Sequence, residues 1–175
     1  MPNSALSHIK LVLLDVDGVL TDGRIYFNDK GVESKAFNSK DGLGLRLLME
    51  AGIQVGIVTG RKSKALQYRC ENLNIDLVFE NVHDKASVMS QIVARSGVDP
   101  EAMLFVGDDL LDLALFACVG VSVAVADAHP DVRQKADIIT RAKGGAGAVR
   151  EICDAILKDK GLWDDIVGRY AQPEQ

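Results

Sequence analysis

The sequence predicts an α/β protein wound as a doubly wound, Rossmann-like parallel sheet, and three observations carry that prediction. Short, nearly continuous apolar runs recur along the chain, segments with apolar residues spaced three and four apart separate them, and several runs end on an acidic or hydroxyl residue. A run that is apolar at nearly every position suits a strand buried on both faces. Strands alternating with helices need crossover connections and therefore pair in parallel.

The first run spans residues 9–14 and stops at Asp15. Similar runs follow at 55–58, 77–79, 103–106 and 121–125, and the spacing predicts helices over 43–51, 63–72, 85–96, 109–117 and 146–158. One stretch breaks the alternation. Residues 24–27 and 32–37 have strand-like composition and flank Asn28-Asp29-Lys30-Gly31, a turn-forming set, so a β-hairpin over about 24–37 is inserted after the first strand. From Gly161 to Gln175 the periodicity fades and the chain finishes polar, which predicts a mobile C-terminal tail over about 160–175.

At 175 residues and 47% hydrophobic, the chain suits one domain, 1–175, with one core. A net charge of −5 and a pI near 5.2 argue against nucleic acid or an anionic membrane as partner, because both attract basic faces. No apolar run is long enough to span a bilayer and no basic-then-apolar leader opens the sequence, so a cytoplasmic location is expected. Cys70, Cys118 and Cys153 lack CxxC spacing and are expected to be buried free thiols.

Ligands of open α/β sheets gather at the carboxyl ends of the strands, so the residues ending each run matter most. Asp15 and Asp17 follow the first run, Thr59 the second, and Asp108 and Asp109 the fourth, while Lys85 opens the third helix. A carboxylate at Asp15 can attack phosphorus to give an acyl phosphate, and Asp17 can protonate the leaving oxygen and then help deprotonate water. A bare DxD also caps loops, so the other motifs decide. Oxygen ligands as dense as those in Gly107-Asp108-Asp109-Leu110-Leu111-Asp112 suit Mg²⁺, with Asp108 the expected ligand; Asp109 and Asp112 also complement a helix dipole. Thr59 can donate to a phosphoryl oxygen, and Lys85 can neutralise transferring charge.

These four elements, Asp15 to Asp22, Ile57 to Arg61, Lys85 and Gly107 to Asp112, resemble in order the four motifs of the haloacid dehalogenase superfamily of phosphotransferases. The resemblance implies Asp15 as nucleophile, Asp17 as acid and base, and Thr59 and Lys85 at the phosphate. It also implies Mg²⁺ held by Asp15, Asp108 and the carbonyl of Asp17. Residues 22–58 and 62–84 leave no room for a cap domain, so the chain is similar to the capless group, whose hairpins assemble a homotetramer and whose tails cover neighbouring sites. Within that group it looks like the phosphatases of keto-deoxy sugar acid phosphates, small-molecule enzymes of lipopolysaccharide precursor synthesis. The strings behind this are Phe37 to Gly42, Arg46, Arg61, Arg69, Val123 to Pro130 and Gly144 to Glu151. The resemblance implies Asp17, Asn38, Ser39, Lys40, Asp41, Gly42, Arg46, Arg61, Arg69 and Lys85 at the substrate. The arginines and Lys40 would supply charge for a second anionic group, a carboxylate.

Arg61 favours the eight-carbon acid over the nine-carbon one, whose enzymes resemble Thr-Gly-Glu at this point. A receiver-like phosphoacceptor module combines the same residue types, but in another order: its acidic pair comes first and its single phosphoacceptor Asp third. His129, before Pro130, reads as a loop residue outside the catalytic set.

Overall fold

The computed structural model describes residues 6–171. In chain order the elements are β1 (Leu11–Leu14), β2 (Tyr26–Phe27), β3 (Glu33–Ser34), α1 (Ser39–Glu50), β4 (Gln54–Val58), α2 (Lys64–Leu73) and β5 (Leu77–Phe79). A tight turn at Lys85–Val88 leads into α3 (Met89–Ser96), followed by β6 (Met103–Gly107), α4 (Leu113–Phe116), β7 (Val121–Ala124), α5 (Pro130–Lys135), β8 (Ile138–Ile139), α6 (Ala148–Asp159) and α7 (Trp163–Ala171).

Six strands form one parallel sheet in the order β5-β4-β1-β6-β7-β8. Its centre, β1, is buried at all four positions, as its unbroken apolar composition requires. The chain winds from β1 outward to β5, then crosses back to β6 on the other side of β1 and winds outward again. Right-handed crossovers place the helices of these two legs on opposite faces. On one face α1 packs against α6, with α2 beside α1 and α7 on α6; α4 and α5 pack together against β7. The reversal between β1 and β6 is the topological switch point, where such sheets open a crevice.

The hairpin lies outside the sheet. Its strands pair antiparallel, Tyr26 opposite Ser34 and Phe27 opposite Glu33, around a turn in which Asn28 Oδ1 accepts from the amides of Lys30 and Val32 at 2.9 and 3.0 Å. Ile25, Tyr26, Phe27 and Val32 are exposed.

Two sequence expectations need correction, and two elements went unread. The tail expected to be irregular is helical through Ala171: Ile166 is buried, and the Trp163 ring faces the cations of Arg150 and Lys158 on α6, at 5.8 and 4.9 Å. The rest of that predicted tail, 172–175, lies outside the described residues. Cys118 is half-buried rather than buried, unlike Cys70 and Cys153, although all three are free thiols. Finally, α5 and β8 went unread because six and two residues are too few to show a period. Among the described residues, no helix is long and apolar enough to cross a membrane.

Candidate active site

Because β1 and β6 are parallel neighbours in register, Leu14 beside Val106, the residues just past them come out together. The Asp15 amide continues the ladder by donating to the Val106 carbonyl at 3.0 Å, and Asp15 is only 8% exposed. The loop beyond it turns at Gly18, whose φ is +93°; a Cβ there would stand 2.0 Å from Asp108 Oδ2. A side chain would therefore displace the Asp108 carboxylate from the loop. Thr21, buried beneath, closes the loop by donating to the Val16 carbonyl and accepting from the Gly18 and Gly23 amides. A late segment seals the other side: Gly145 N donates to the Val19 carbonyl at 2.9 Å, and a Cβ on Gly144 would meet Gly18 O at 1.7 Å.

Lys85 reaches into this mouth from the tight turn after β5. Its ammonium lies 2.8 Å from Asp15 Oδ1 and 2.5 Å from Asp112 Oδ1. Burial alone would lower its pKa, but the charges of Asp15 and Asp112 outweigh burial and raise it, so Lys85 is a fixed cation. The other oxygen of Asp112 accepts from the amides of Asp108 and Asp109 at 2.8 and 3.2 Å. Asp112 thus holds both the lysine and the backbone of the acidic loop. Both Asp109 and Asp112 join a reciprocal cap, as their place at a helix start suggests, yet Asp112 turns inward and is buried while Asp109 stays exposed. Sequence reasoning missed this inward role; the signal was an acid four residues after Asp108.

Burial pushes the Asp15 carboxyl up to about 6, opposed by Lys85 and aided by Asp112. Asp108 rises further, to about 8, through burial and then the charges of Asp15, Asp112 and Asp109. Its Oδ1 is buried with no hydrogen-bond partner among the described residues. Asp15, Asp108 and Asp112 each offer an oxygen, all within 4.8 Å of one another. An orphaned carboxylate oxygen in a crowd of like charges fits a hard divalent cation with oxygen ligands. Thr59, also buried, sits one residue past β4, on the other side of β1.

A rim of alternating charge stands above these groups. Lys35 donates to Asp17 Oδ1 and lies 3.1 Å from Glu33 Oε1, the other oxygen of Glu33 pairs with Arg61, and Arg61 Nε is 3.9 Å from Asp17 Oδ2. Asp17 and Arg61 were expected here. Glu33 and Lys35 were not, although i, i+2 spacing in the strand-like stretch read over 32–37 would put both side chains on one face.

The remaining substrate candidates lie on the α1–α2 face and bond mostly to one another and to the C-terminal segment. Asn38 caps α1, accepting from the Lys40 and Asp41 amides, and donates to Gly145 O. Asp41 is buried and accepts from the Arg150 amide at 2.8 Å, which ties α1 to α6. Arg46 donates to Asn72 O; Arg69 donates to Asn38 O and Asn72 Oδ1, stands over the Phe37 ring, and fills the space a Cβ on Gly42 would need. Ser39 and Lys40 are exposed. None of these has a hydrogen bond or ion pair to Asp15, Lys85 or Asp108 among the described residues.

Comparison with known proteins gives this arrangement a context. The model of the haloacid dehalogenase-like hydrolases matches residues 78–152. Over 162 residues the chain is 45% identical to the 3-deoxy-D-manno-octulosonate 8-phosphate phosphatase of Escherichia coli, covering 93% of this chain and 86% of that one. The enzyme of that name from Yersinia pestis superposes with a TM-score of 0.90 at 44% identity, covering 91% of this chain and 86% of the other. The Moraxella catarrhalis enzyme, solved with magnesium, phosphate and KDO, gives a TM-score of 0.93 at 36% identity over 97% of both chains.

Proposed function

The chain belongs to the haloacid dehalogenase-like hydrolases, and from that premise we propose that it hydrolyses 3-deoxy-D-manno-octulosonate 8-phosphate (KDO 8-phosphate) to KDO and phosphate with Mg²⁺. The observation that carries the reading is Lys85 bridging Asp15 and Asp112 beside the unpartnered Asp108 oxygen at the β1–β6 switch point. A free carboxylate meets a phosphate dianion only if their mutual repulsion is offset, and here a buried ammonium touches the carboxylate directly.

In this reading the Asp15 carboxylate attacks phosphorus, forming an aspartyl phosphate and expelling the C8 oxygen of the sugar. Asp17 gives that oxygen its proton, then takes one from the water that attacks the aspartyl phosphate. Lys85 and the Thr59 hydroxyl hold the phosphoryl oxygens. Asp15, Asp108 and the Asp17 carbonyl would hold Mg²⁺, which supplies charge neutralisation when bound. Arg61 at the rim suits the substrate's carboxylate, with Lys40, Arg46 and Arg69 as further positive charge and Asn38, Ser39, Asp41 and Gly42 shaping the edge of α1.

The exposed apolar hairpin supports assembly through that element, read as a homotetramer, and the three free cysteines support a reducing cytoplasm. The test is phosphate release from KDO 8-phosphate against a panel of sugar phosphates, including the nine-carbon acid phosphate, with and without Mg²⁺. Metal-dependent preference for KDO 8-phosphate is expected; a preference for the nine-carbon substrate would overturn the assignment and assign Arg61 another role.

A further inference from the structure

We propose that Lys35, one residue past the second strand of the hairpin, is a positioning residue for Asp17: it clamps one oxygen of that carboxylate so that the other faces the leaving oxygen of the substrate. The inference rests on the phosphatase reading above and adds a residue to it.

The geometry is specific. The Lys35 side chain is only 2% exposed, although the hairpin that carries it leaves Ile25, Tyr26, Phe27 and Val32 exposed. Its ammonium is spent on two carboxylates, Asp17 through Oδ1 and Glu33 through Oε1 at 3.1 Å. Among the described residues Asp17 Oδ2 accepts no hydrogen bond, and its ion-pair partner Arg61 Nε stands at 3.9 Å, beyond hydrogen-bond reach. One oxygen of Asp17 is therefore fixed and the other is open. Glu33 completes the device: it also binds Arg61, so Lys35, Glu33 and Arg61 form a chain that sets the orientation of Asp17 relative to the mouth. A lysine needed only to hold the hairpin in place has no reason to select the residue two positions after the nucleophile. Protonating a leaving oxygen depends on placing the donor within a few tenths of an ångström, so a side chain that removes a rotation from Asp17 acts on that step.

The step leaves a signature. An alkyl leaving group needs its proton as the P–O bond breaks, whereas p-nitrophenolate leaves unprotonated. In Lys35→Met, kcat/KM for the alkyl phosphate that the wild type cleaves best should fall by about 10- to 100-fold, less than the roughly 100- to 10,000-fold that general acid catalysis supplies in full, because Asp17 remains and is only misplaced. That for p-nitrophenyl phosphate should change by less than about threefold, since both reactions use Asp15, Lys85 and the metal equally. Lys35→Arg should recover most of the alkyl rate. The same measurements, with circular dichroism and light scattering confirming folded, unchanged assemblies, decide the matter. Should the Met variant fail to fold, Lys35→Gln and Lys35→Arg carry the comparison. Equal losses on both substrates, or no loss on either, would overturn the proposal. A wild type that cleaves other alkyl phosphates but not KDO 8-phosphate sinks the substrate assignment and leaves the Lys35 comparison readable.

Discussion

The strand-end mouth and the hairpin are both rich in charge, and they are held in opposite ways. In the mouth, Asp15, Lys85 and Asp112 are buried and locked to one another by short contacts, on the ends of strands that a six-stranded sheet fixes. The hairpin has two residues in each strand, a side that reaches inward with Glu33 and Lys35, and a side that leaves Phe27 62% exposed. A two-stranded ribbon of that length has little stability of its own. The contrast teaches that the groups proposed for bond making sit where the fold is over-determined, while those proposed to orient Asp17 arrive on an element whose apolar side is exposed.

The sharpest break of that comparison is chemical. Asp15→Asn should leave the fold intact, because Asp112 still holds Lys85, yet reduce turnover on the order of a thousandfold or more. Wild-type rates in a clean preparation would remove Asp15 from the nucleophile role.

An intermediate effect follows from charge crowding in the mouth. Asp15 and Asp108 have folded-state pKa values raised to about 6 and about 8, above the ordinary carboxylate value of 3.8. The folded protein therefore holds more protons than the unfolded chain across this window. Metal-free stability contributed by these groups is greatest at low pH and is lost as pH rises from about 4 through 6 and on to 8, the reverse of a salt-bridged carboxylate. A divalent cation removes the repulsion, so the rise in Tm on adding Mg²⁺ should be several degrees larger at pH 8 than at pH 5, measured by calorimetry after chelator treatment. A rise independent of pH would show that the cation does not meet these carboxylates.

The smallest effect on the single chain belongs to the hairpin. Phe27→Glu should shift light scattering from an assembly to a smaller species, while changing the urea stability of the separated chain by no more than about 0.5 kcal/mol, as expected for an exposed position. A variant that remains fully assembled would place the subunit contact elsewhere.

Much of this was legible in the sequence because strand ends are legible. The unbroken apolar runs located β1, β4 and β6, and the residues after them, Asp15, Thr59 and Asp108, then follow from the rule for parallel sheets. Asp112 and Lys35 were not legible in the same way. Their places depend on which way a side chain turns after a helix start or just past a two-residue strand, which burial and partners decide rather than local pattern. The last helix shows a different failure. Trp163, Ile166, Val167 and Tyr170 do have helical spacing, but Gly161 and the acids between them masked it, and of the four only Ile166 is buried while Trp163 meets Arg150 and Lys158 of α6.

One contact made late in the chain bears on how the protein is born. The loop carrying Asp17 and Gly18 is lined by Gly144 and Gly145, whose missing side chains let two backbones lie against each other. A ribosome that has synthesised the protein only through Asp112 has made Asp15, Asp17 and the acidic loop, yet Gly144 and Gly145, which lie against Gly18 and its neighbours, do not yet exist. The backing of this loop therefore arrives only when the last quarter of the polypeptide folds back over the first, and a product terminated before it carries Asp15, Asp17 and Asp108 in order along its length without that support.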